Sequence, residues 1–88
     1  MNARRDTLPI TIATLRKNAR ESILVRLCEY EGRPFIDARV LDIANGEAPT
    51  FTKKGIAFHP RLTSELVAAI EKACRQAREL GLLNDGAA

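Results

Sequence analysis

Arg26, Tyr30, Arg33, Phe35 and Arg39 fall within fourteen residues of each other, and Lys53-Lys54 follow after a loop. They are the side chains here whose types and spacing fit a chemistry. Cations interleaved with rings at strand spacing suit a flexible polyanion with exposed bases. The cations follow phosphates, and the rings stack on bases that no duplex hides. Other chemistries find less support. His59 is the only histidine, and its place in His-Pro at a helix start accounts for it without catalysis. Cys28 and Cys74 form no CxxC pair, and neither has a histidine placed to activate it. A structural zinc site needs about four ligands, so no metal is expected. Glu29, Glu31, Asp37 and Asp42 lie beside Arg26, Arg33 and Arg39, and pairing explains them. Lys-Lys-Gly lacks the frame of a phosphate loop. No enzyme activity, no cofactor and no small-molecule substrate is expected.

The element that must position these residues runs from Ser22 to Ile43 and reads as a β-hairpin, SILVRLCEY-EGR-PFIDARVLDI. Strand side chains alternate at period two. In the first arm Ile23, Val25 and Leu27 share one face, and Leu24, Arg26, Cys28 and Tyr30 the other. In the second, Ile36, Ala38 and Val40 oppose Phe35, Asp37, Arg39 and Leu41. Each arm therefore has a wholly apolar face and a mixed face, and a sheet built only for its core has no need of the arginines. Gly32 supplies the positive φ of a tight connection, and Pro34 opens the second arm. The residues alone leave two roles open for Arg26 and Arg39: phosphate contacts, or cross-strand pairs with Asp37 or Glu29. Phe35 likewise stacks or joins the core.

Elsewhere, LPITIATL predicts a short extended segment around 9–15 that docks on a sheet edge, with residues 1–8 mobile and KNARE a polar turn. Asn45-Gly46 and Pro49 predict a loop. TFTKKGIAF (50–58) predicts a further β segment, broken into two short strands at Gly55. Pro60 opens a helix capped by His59 or a near neighbour. Its apolar stripe is Leu62, Leu66, Ile70, Ala73, Ala77 and Leu80, widened by Val67, Ala69 and Cys74, and Gly81 marks its stop. Glu65, Glu71, Lys72, Arg75, Arg78 and Glu79 make the solvated face. About 21 helical residues span roughly 31 Å, against roughly 23 Å for a strand of about seven. The helix should overhang its sheet, and a two-fold copy is the simplest cover for its apolar end.

The chain has 88 residues, enough for one small domain. Its net charge of +3 is unevenly placed. Residues 1–20 hold Arg4, Arg5, Arg16, Lys17 and Arg20 against Asp6, while the rest carries nine basic and ten acidic residues. A near-neutral domain with a basic leader suits a polyanionic partner. No apolar run approaches the roughly 20 residues that span a bilayer, and no secretory signal is expected.

KNARESILVRLCEYEGRPFIDARV, then TKKGIAFHP and an amphipathic helix, resembles the positive cofactor four (PC4) family of transcriptional coactivators in its short bacterial form. The likeness covers about residues 16–82. It implies an α+β fold, a four-stranded curved antiparallel sheet followed by one long C-terminal helix, which forms a homodimer through that helix. It also implies single-stranded DNA binding with little sequence preference. Carried over by position, Tyr30 is the aromatic before the turn and Arg33 the basic residue after the glycine. Arg39 is the second-strand arginine, and Lys53 and Lys54 the basic pair before the glycine. Glu31 and Asp42 depart from the family pattern, standing where a basic residue and a tryptophan occur, and predict weaker binding.

The expectation is thus a leader (1–15), a ββββα domain (16–82) and a tail (83–88). The nucleic-acid surface comprises Arg26, Tyr30, Arg33, Phe35, Arg39, Lys53 and Lys54, joined by Lys17 and Arg20. Leu66, Ile70, Ala73, Ala77 and Leu80 form the dimer interface. Expected partners are single-stranded DNA, with RNA or melted duplex as variants, a second copy, and a protein of the transcription machinery. A protein-interaction adaptor and a single-stranded RNA binder are the rival readings. A cytoplasmic, nucleoid-associated location goes with the first.

Overall fold

A computed structural model describes residues 7–44 and 48–83. The basic pair Arg4-Arg5, the Asn45-Gly46 turn and all of the tail beyond Leu83 lie outside the described residues. Four strands, β1 (Ile10–Arg16), β2 (Glu21–Tyr30), β3 (Arg33–Asp42) and β4 (Thr50–Phe58), form one antiparallel sheet in chain order. A 3₁₀ turn, Pro60–Leu62, leads into α1, Thr63–Glu79. The fold class is the expected one. β1 starts at Ile10, ahead of the domain boundary placed at residue 16, so most of that strand lies in the segment read as leader.

The central hairpin pairs without interruption from Glu21↔Asp42 to Tyr30↔Arg33. Its connection is the two residues Glu31 and Gly32, with φ of 52° and 79°. Positive φ at both positions is the type I′ geometry, whose twist matches that of the flanking strands. The register puts Ile23, Val25 and Leu27 opposite Val40, Ala38 and Ile36 on one face, and Leu24, Arg26 and Cys28 opposite Arg39, Asp37 and Phe35 on the other. Both faces are as the alternation predicts.

β4 is one continuous strand, not two broken at Gly55. Its irregularity comes just before the glycine, because Leu41 pairs with Phe51 while Arg39 pairs with Gly55. Extra residues on β4 oppose Val40, whose carbonyl loses its ladder partner. The Thr52 hydroxyl donates to that oxygen at 2.7 Å and itself accepts from the Lys54 backbone N–H at 3.1 Å. The bulge is thus satisfied by a β-branched residue that the alternation alone reads as ordinary strand.

His59 caps the 3₁₀ turn, its Nδ1 accepting from the Arg61 N–H at 3.1 Å, with Pro60 where no donor is needed. α1 ends at Gly81 (φ 77°), where the Leu82 N–H donates to the Ala77 carbonyl at 2.7 Å, the 6→1 bond of a Schellman cap.

Burial does not follow apolarity. Ser22, Cys28, Asp37 and Leu41 are the buried residues among those described, and all four belong to the mixed face. Among the described residues no helix packs over that face, and its own long side chains, Arg26, Arg39 and Phe51, surround Asp37. The wholly apolar face is only half-buried. α1 makes its main contact with the preceding 3₁₀ turn and meets no strand more than marginally. Val67 and Ile70 on α1 and Leu80 at its C-cap stay exposed, as do Leu15 and Ile56 on the edge strands. Among the described residues no helix is long and apolar enough to cross a membrane.

Candidate nucleic-acid interface

The centre of the mixed face is a carboxylate between two guanidiniums. Asp37 on β3 is 3 % exposed. Its Oδ1 accepts from Arg39 Nη2 at 2.6 Å and its Oδ2 from Arg26 Nη2 at 3.2 Å. Arg39 donates through Nη1 to the Lys53 carbonyl at 3.0 Å, which ties the bulge of β4 to the centre. Arg26 lies over the Phe51 ring, 4.9 Å from Cζ to centroid, while its buried Nε has no hydrogen-bond partner among the described residues. Burial pushes the Asp37 carboxyl up, but the hydrogen bonds from Arg39 and then Arg26, with both charges, outweigh it and hold it below the ordinary value. The alternatives left open for the two arginines thus resolve in part: both pair with Asp37. The three side chains together carry one net positive charge.

Tyr30 and Arg33 face each other at the hairpin end, both exposed. Phe35 is half-buried opposite Cys28. Lys53 is exposed and its side chain makes no ion pair among the described residues. Lys17 and Lys54 converge on a residue that the alternation did not single out, Glu21, at 2.8 Å and 2.9 Å. Asn18 adds a third hydrogen bond to the same carboxylate. Arg20 sits in the β1–β2 turn, where its N–H is held by Asn18 Oδ1. Of the helix residues, Leu66 and Ala77 are half-buried, and Ile70, Ala73 and Leu80 are exposed.

Hydrogen bonds from Lys17 and then Lys54 lower Glu21 from an ordinary 4.5 to about 2. A carboxylate held low in the folded state takes up its proton first in the unfolded one. Its contribution is therefore full above about pH 4.5 and lost as pH falls towards 2. In thermal melts, Glu21→Gln is expected to flatten the acid limb of the stability curve across that window. A limb identical to wild type would remove Glu21 as its source.

Asp37 and Phe51 on the mixed face, and Glu21, which the register puts on the opposite face with Ile23 and Val25, are the residues that the sequence did not assign. Asp37 was legible only as one of two candidate partners. Phe51 carries no local signal, since Arg26 lies on another strand; Glu21 has local partners in Lys17 and Asn18, but its link to Lys54 crosses the sheet.

A chain-order antiparallel meander followed by a single standing-off helix, with cations and rings on an uncovered sheet face, is the architecture of PC4-like proteins. The chain is similar to a PC4 homolog from Burkholderia pseudomallei in two crystal forms. The orthorhombic form has 27% identity and a TM-score of 0.69, and the match covers 76% of this chain and 90% of that one. The tetragonal form has 27% identity and a TM-score of 0.67, covering 75% and 97%. No family profile and no curated protein matches. The likeness to that bacterial homolog, in fold and at 27% identity over three quarters of this chain, supports a PC4-like protein.

Proposed function

We propose that the protein is a homodimeric single-stranded-DNA-binding protein with little sequence preference. It would act as a coactivator or regulator of transcription or in DNA maintenance, in the cytoplasm and without catalysis of its own. The observation that carries this reading is a sheet face with no covering element among the described residues. It holds a fixed pair of guanidiniums at its centre and the exposed Tyr30, Arg33 and Lys53 towards its ends. Phosphates are met by cations and splayed bases by rings, with no donor and acceptor pattern that would read one sequence. The homodimer is supported by the apolar sheet face and the Val67, Ile70 and Leu80 stripe, which the chain leaves open. A second copy related by a two-fold axis presents the same surfaces in return.

The test is anisotropy of a labelled 20-nucleotide single strand beside its duplex, at several salt concentrations, with light scattering on the same sample. The expected result is a particle of two chains, binding the single strand more tightly and weakening with salt. Each phosphate-neutralising cation contributes about 0.7 to the slope of log K against log salt on a single strand. Lys53→Ala and Arg33→Ala, which break no ion pair of Asp37 or Glu21, should each flatten the slope by about that amount. Unchanged slopes in both variants would remove these residues from the interface. Equal, feeble binding to both nucleic acids would leave the adaptor reading in front, which the exposed Glu31 and Asp42 favour. Preference for a matched RNA strand would favour the RNA reading.

A further inference from the structure

Phe51 is the one large ring on the mixed face that neither the sequence reading nor the family pattern assigns. Its register opposite Leu41 places it there, on β4. It is 54 % exposed, although the buried Leu41 lies beside it. One face of the ring is taken by the Arg26 guanidinium at 4.9 Å, and Arg26 is in turn held by Asp37. The ring is therefore fixed from one side and open to solvent elsewhere. Dimerisation through the apolar face and α1 would not cover it, because it projects from the opposite face.

Along β2, the row of Phe51 (Ser22, Leu41) is eight residues from Tyr30, a separation of about 27 Å at the strand rise. The two exposed rings thus mark opposite ends of the mixed face, with the Arg26–Asp37–Arg39 group between them. A strand of nucleic acid following the cations passes both.

We infer that Phe51, backed by Arg26, is a base-stacking platform at the β4 end of the interface, and that the ligand there is an unpaired nucleobase. The inference rests on the single-strand reading above. Stacking on a side chain already fixed from behind loses little conformational freedom on binding. A cation behind the ring also leaves its free face for the flat, apolar surface of a base. The site is indifferent to base identity, as every base has such a face.

The experiment compares wild type, Phe51→Ala and Phe51→Trp on two labelled ligands, oligothymidylate of 20 nucleotides and an abasic phosphodiester chain of the same length. Phe51→Ala is expected to bind the thymidylate on the order of tenfold more weakly, and the abasic chain as wild type does. Phe51→Trp should keep the affinity. As the chain has no other tryptophan, emission from that single indole should be quenched by the thymidylate and not by the abasic chain. Wild-type affinity of Phe51→Ala for the thymidylate would overturn the inference while leaving the single-strand reading intact. Equal losses on both ligands would also overturn it, by showing that the ring acts through the placement of Arg26. Absence of wild-type binding to the thymidylate would remove the reading and the inference together.

Discussion

Asp37→Ala is expected to destabilise the fold by about 3 kcal/mol, the cost of removing one partner from a buried ion group. Both Asp37 oxygens are used, one by each guanidinium. The arginines are themselves largely covered, with side chains 25% and 21% exposed, and Arg26 Nε already lacks a partner. Without the carboxylate, two like charges face each other at the centre of the sheet. For a domain of this size the change corresponds to a melting point lower by about 10–20 °C, compared at equal protomer concentration. The single-strand reading adds a second expectation. A phosphate entering between Arg26 and Arg39 restores the missing charge, so an oligonucleotide should raise the melting point of the variant more than that of wild type. A loss under about 1 kcal/mol would show that the guanidiniums find solvent without Asp37.

Gly55→Ala is the second large effect. At φ of 142° the backbone is in a region that L residues rarely adopt. A Cβ there would run into the carbonyl oxygen of Ala38 and lie 3.0 Å from Arg39 Cα. Those are atoms of the neighbouring strand, which cannot withdraw without opening the β3–β4 ladder. The expected cost is about 3 kcal/mol from strain and steric overlap together. The displaced bulge would also loosen the Lys53 carbonyl from Arg39 and Lys54 from Glu21. Gly32→Ala is the matched control. Its φ is also positive, but nothing lies within 4 Å of the added carbon, so about 1 kcal/mol is expected. Urea unfolding of the two variants makes the comparison. Equal midpoints would mean that backbone conformation, not the approach of β3, sets the cost at Gly55.

These two positions also show where sequence legibility ends. Gly55 was readable as a place where β4 does something irregular. Only the pairing with β3 shows that the extra residues precede it, and that Thr52 and Arg39 close the gap. Asp37 was readable as a carboxylate among arginines. The register Arg26↔Asp37, and the reach of Arg39 two residues along the same strand, made it the shared counter-ion of both. Glu21 joins Lys54 across 33 residues, a link that no local pattern contains.

What the sequence determined by itself is everything governed by short-range period. The alternation in β2 and β3, Gly32 in the turn, His59-Pro60 opening the helical segment and Gly81 closing it all follow from sterics and hydrogen bonds within a few residues. The tertiary structure decided which face is enclosed. Apolar content points to the Ile23–Val25–Leu27 face as the core. The buried residues lie on the other face, where Arg26 and Arg39 converge on Asp37 from two strands and Phe51 from a third lies against Arg26. The tertiary structure also decided that α1 stands off the sheet, and that Phe51 comes to rest on Arg26. Both depend on how strands far apart in the chain are registered and bent against one another, and alternation along one strand carries no record of that.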